Sequence, residues 1–78
     1  MTFLPTTQNG VRFTTLPERQ LDVWIGIATG QTTKGIALML GISSKTVEYH
    51  RAKLMRRLKI WDVAGLTRAA IRNKLIEA

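Results

Sequence analysis

The chain has 78 residues, with twelve lysines and arginines against five acids for a net charge of +7, and no cysteine. That length suits one compact domain with a marginal core, and the missing cysteines exclude a disulfide framework or a thiolate metal site. A single histidine, five scattered acids and no apolar run near the ~20 residues of a membrane span leave no catalytic, metal, cofactor or membrane role expected.

In chain order, residues 1–14 mix Pro5, Gly10 and polar side chains without a sustained period and read as a tail, ahead of a domain over 15–78. A first helix starts near Pro17, which suits a first turn, with Thr15 as candidate cap. It carries a Val23-Trp24-Ile27 stripe and runs to about Thr29, before Gly30. A second helix spans roughly Thr33 to Leu40 and ends at Gly41, a residue fit for a left-handed cap. A third covers about 44–58 behind Ser43, whose hydroxyl can accept a free N–H of the first turn. A fourth begins after Asp62, another good N-cap, and continues to about Asn73. No strand alternation, repeat or low-complexity segment is present, so the expected class is all-α.

The third helix is the informative one. Val47, Leu54 and Leu58, with Met55 alongside, recur at helical spacing and mark a buried stripe. Lys45, Tyr49, Ala52, Lys53 and Arg56 fall on the opposite side. Between Lys45 and Lys59 lie six basic residues and one acid, Glu48, so +5 of the charge sits in fifteen positions. Such clustering attracts phosphate regardless of base sequence and speeds association. A solvated helix face is the bland alternative. Membrane-surface binding is disfavoured because the apolar face is already needed for the core. A cationic helix bearing one aromatic points to a DNA groove.

The second and third helices, joined by Gly41-Ile42-Ser43, have the layout of a helix-turn-helix over about 33–52. Gly30, Lys34, Ile36-Ala37, Leu40-Gly41-Ile42-Ser43, Thr46-Val47, His50-Arg51 and Met55-Arg56-Arg57-Leu58 together resemble the LuxR/FixJ/GerE family of bacterial transcription regulators, over about residues 16–76. The resemblance implies a four-helix DNA-binding domain, the third helix in the major groove and the fourth forming a symmetric dimer contact. It is that of a stand-alone member in the manner of GerE, without a receiver or ligand-sensing domain. It implies phosphate contacts for Thr33, Lys34, Thr46 and Arg51, and base contacts for Glu48, Tyr49 and Ala52.

Side-chain chemistry supports Tyr49, whose ring and hydroxyl can meet a thymine methyl or a base edge. Glu48 either accepts from cytosine or pairs with Lys45 or Arg51. Ala52 offers only a methyl contact, and Lys45, Lys53 and Arg56 suit the backbone better than bases. His50 orients the recognition helix or meets a phosphate, since no second metal ligand stands at i+4. Three positions depart from the family pattern: Gln20 and Gly35 replace usual acids, and Lys59 replaces a usual glycine.

For pairing of two copies, the fourth helix presents a seam of Leu66, Thr67, Ala69 and Ala70 centred on Ala69, with Arg68 and Arg72 flanking it and keeping the free homodimer weak. Leu38 is expected to be exposed, Leu21 and Ile25 to be covered by the tail through Phe3, Leu4, Val11 and Phe13, and Trp61 to plug the core edge in preference to joining the dimer surface. The leading function is sequence-specific binding of double-stranded DNA in the cytoplasm. The opposing class is a protein-interaction module that binds RNA polymerase or another regulator. RNA binding is weaker, since Tyr49 is the one tyrosine, tryptophan or phenylalanine on the basic helix.

Overall fold

A computed structural model describes residues 16–77. Four helices follow in order: α1 Glu18–Ala28, α2 Thr33–Leu40, α3 Ser44–Leu58 and α4 Val63–Arg72. No strand occurs among the described residues.

The helix boundaries are set by local chemistry. Thr32 Oγ1 accepts from the Gly35 N–H at 2.9 Å, Ser43 Oγ from the Thr46 N–H at 3.0 Å, and Asp62 from the Gly65 N–H at 3.3 Å, each filling an otherwise orphaned first-turn donor. Pro17 opens α1 without a side-chain cap; the proposed Thr15 cap lies outside the described residues. At the other end, Gly41 turns left-handed at φ 71° and ends α2. Lys59 does the same at φ 58° after α3. The lysine therefore occupies the left-handed cap itself, at a steric cost that glycine does not carry.

α1 packs against α3 and α4, and α2 packs against α3 and α1. The core comprises Leu16, Val23, Trp24, Ile27, Ile36, Ala37, Val47, Leu54, Leu66, Ala69 and Ala70. Trp24 is fully buried, and its indole Nε1–H donates to the Leu66 carbonyl oxygen at 2.9 Å, tying α1 to α4. Gly26 on α1 faces Ile36 of α2 closely. A Cβ there would lie 2.8 Å from Ile36 Cγ1. Gln20 is the buried polar side chain, and its Oε1 has no hydrogen-bond partner.

Two expectations are corrected by this packing. Leu66, Ala69 and Ala70 do not form a dimer seam, because they point inward and close the monomer core; of the four proposed seam residues only Thr67 reaches the surface. Leu66, Ala69 and Ala70 on the short α4 are taken up by the core, leaving Val63, Ala64, Thr67 and Ile71 on its outer side. Trp61 does not plug the core edge. It is 65% exposed, because Ile60 takes the inward place and Asp62 turns the chain to cap α4. Leu38 is exposed as expected, and Met39 beside it is exposed too. Leu21 and Ile25 are half-buried, while the tail proposed to cover them lies outside the described residues.

Candidate nucleic-acid interface

α3 is divided lengthwise. Val47 and Leu54 are buried, with Met55 and Leu58 half-buried beside them, while Lys45, Glu48, Tyr49, Ala52, Lys53 and Arg56 are exposed. The split follows from the 3.6-residue period: residues three and four apart share a face. Burial of one face against α1 and α2 holds the other outward as a continuous polar and cationic surface.

Tyr49 stands at its centre, 58% exposed. The Lys53 Nζ lies 5.4 Å from the centre of its ring, a cation–π pair at i,i+4. The His50 ring meets Tyr49 edge-on, with 5.4 Å between centroids. His50 is half-buried, and its Nδ1 is enclosed without a hydrogen-bond partner. Among the described residues no group of three or more His, Cys, Asp or Glu side chains could hold a metal ion.

Glu48 pairs with neither Lys45 nor Arg51; among the described residues the ion pair present is Arg19–Asp22 on α1. Its carboxylate faces outward with the cations rather than neutralising one of them. Thr46 is half-buried, its hydroxyl 2.9 Å from that of Ser43, so it completes the cap network at the entry of α3. The start of α2 comes to the same side. Thr33, half-buried, and Arg51, also half-buried, border one small groove of about 190 Å³ together with Gln31 and Val63. Lys34 is exposed beside it. The capped start of α2 thus lies beside the second turn of α3, where Thr33 and Arg51 border the same groove, an arrangement suited to phosphate.

Residues not singled out from the sequence join this rim. Gln31 lines the groove shared by Thr33 and Arg51, and Ser44 is exposed in the first turn of α3. Both flank an N-cap, and that position was the available signal. The proposed dimer residues lie apart from this face, and three of them are in the core, as described above.

The described residues contain no helix long and apolar enough to cross a membrane. Residues 14–70 match the family described as bacterial regulatory proteins, luxR family. The chain is 40% identical over 60 residues to the transcriptional regulatory protein FixJ of Rhizobium meliloti, covering 77% of this chain and 29% of that protein. It is 39% identical over 61 residues to the transcriptional regulatory protein MctR of Rhizobium johnstonii, covering 78% of this chain and 28% of that protein. The response regulator UvrY of Escherichia coli is 36% identical over 66 residues, 85% of this chain and 30% of that protein. The chain therefore spans less than a third of the length of these relatives. No solved structure matches significantly. With four helices among the described residues, a helix-turn-helix and a cationic outer face on its second member, the chain belongs to the luxR family of bacterial regulatory proteins, a family of transcription regulators whose shared domain implies DNA binding.

Proposed function

We propose that the domain binds double-stranded DNA in a sequence-specific manner, with α3 in the major groove. The observation that carries this reading is the undivided outer face of α3, where Lys45, Tyr49, Lys53 and Arg56 are exposed while Val47 and Leu54 anchor the opposite face in the core. Tyr49, Glu48 and Ala52 read base edges. Lys45, Thr46, Arg51, Lys53 and Arg56 on α3, with Thr33 and Lys34 at the start of α2, hold phosphates. His50 sets the orientation of the Tyr49 ring. Two copies bind an inverted repeat with half-sites about one helical turn apart, each offering the exposed side of α4 at Val63, Ala64, Thr67 and Ile71. A cytoplasmic location accompanies this role.

An unbiased selection of duplex sequences bound by the protein, followed by titration at increasing salt, tests the reading. A recovered consensus and a log–log salt slope of about −0.9 per phosphate contact are expected. A slope near zero, or selection of no sequence, defeats it.

A further inference from the structure

A second, larger groove of about 430 Å³ opens at the corner between α3 and α4. Lys59, Trp61, Arg68 and Arg72 border it, with Gly65 beneath. A tryptophan exposed over most of its surface withholds a large apolar side chain from the core, and that demands a reason more than a lone exposed leucine does. Asp62 lies in the same lining, but its carboxylate is engaged by the Gly65 N–H. None of Lys59, Arg68 and Arg72 enters an ion pair among the described residues. The rim is thus three free cations around one indole.

The corner is built for this shape. A Cβ on Gly65 would fall 2.7 Å from Ile60 Cγ2 and 2.8 Å from Asp62 Oδ1, so glycine lets the 59–62 turn lie against α4 with Ile60 inward and Trp61 outward. The fifteen residues of α3 extend about 22 Å, and the groove lies at its C-terminal end. On α4, Arg68 and Arg72 stand on the exposed side of the helix next to Gly65, with Arg68 one turn from Ala64 and Ile71.

The chemistry of the rim selects its occupant. A second copy would bring the same cations, in a chain with net charge +7. Single-stranded nucleic acid needs successive stacking platforms, and the groove offers one aromatic. Arginine forks match carboxylates, and tryptophan and arginine are the residue types that dominate binding energy at protein interfaces. We propose that this groove docks an acidic segment of a partner protein, with an apolar side chain laid on Trp61 and flanking carboxylates held by Arg68 and Arg72. The proposal does not rest on DNA binding, and the two are assayed separately.

Tryptophan fluorescence reports it directly, because Trp24 is buried and hydrogen-bonded while Trp61 is not. The probe is a twelve-residue synthetic peptide alternating glutamate with leucine and phenylalanine, against an all-glutamate peptide of equal length. Saturable blue-shifted emission and protection from acrylamide with the mixed peptide are expected. Affinity should fall at least tenfold in both W61A, followed by anisotropy of labelled peptide, and the R68Q/R72Q double variant. Both should melt as the wild type does, and W61A should bind duplex DNA within twofold of it. Absence of binding, equal binding of the all-glutamate peptide, or binding unmoved by these substitutions overturns the proposal. So does protection of Trp61 by single-stranded DNA, or by raised protein concentration alone.

Discussion

Lys53 and Tyr49 are coupled: the ammonium lies 5.4 Å from the centre of the ring, one helical turn apart on the outer face of α3. At an exposed site such a pair contributes about 0.5–1 kcal/mol, enough to bias the ring without locking it. Charge and shape on this face are therefore joined, yet separable by mutation. Lys53→Ala is expected to flatten the salt slope of DNA binding by about one unit and to weaken all sequences nearly alike. Titrations of the selected site and of a scrambled duplex at several salt concentrations measure both effects. Equal slopes for mutant and wild type would remove Lys53 from the phosphate contacts.

Tyr49→Ala acts on the other half of the pair. It removes the one large side chain on the outward face of α3, so preference at one or two base pairs should relax by about 1–3 kcal/mol. Competition among single-base variants of the selected site checks this. Loss of affinity with unchanged preference would place Tyr49 on the backbone instead.

Lys59→Gly should stabilise the domain. The lysine is held at φ 58°, a region where an L side chain carries a penalty of roughly 1–2 kcal/mol, and glycine returns part of that gain through its freer unfolded chain. A net increase of about 1 kcal/mol is expected, read as a rise in the thermal midpoint of about 4–8 °C. An unchanged or lower midpoint would show that the lysine makes compensating contacts.

Gly26→Ala should do the reverse, although alanine is the better helix former by about 1 kcal/mol. The added Cβ would approach Ile36 to 2.8 Å at the crossing of α1 and α2. Overpacking of this kind costs about 1–3 kcal/mol, so the crossing must open or Ile36 must move. Denaturant unfolding is expected to give a net loss of about 1 kcal/mol; a stabilised variant would mean that α2 shifts freely.

Pairing on DNA is tested at Thr67, not at Ala69. Ala69 is 4% exposed and faces the core, so Ala69→Glu is expected to unfold the domain. Thr67→Glu keeps the core intact, and should abolish cooperative binding to a two-half-site duplex while leaving half-site binding within about twofold, as surface changes usually do. Cooperative binding that survives in this variant would exclude the outer side of α4 as the contact.

The limits of α2 and α3, the start of α4, the helix-turn-helix and the cationic face of α3 were all legible from residues 33–62. Each rests on short-range rules: a capping hydroxyl at Ser43, a capping carboxylate at Asp62, a left-handed glycine at Gly41, and apolar residues at helical spacing. Family membership was legible for the same reason, since its pattern is carried by many positions in one register.

What the amino-acid order left open was the division of apolar residues between core and surface in α4 and the turn before it. Leu66, Ala69 and Ala70 look equally fit for a partner or for the core, because periodicity marks a face without naming what covers it. Only the approach of α1 decides this, where Trp24 lies against α4 and bonds to the Leu66 carbonyl across the fold. Trp61 is the converse case. Hydrophobicity points it inward, but Ile60 already fills that space and the Asp62 cap orients the chain, leaving the indole outside. Local chemistry determined the elements and the recognition surface; the tertiary structure decided which apolar side chains remained for a partner, because burial depends on neighbours distant in sequence.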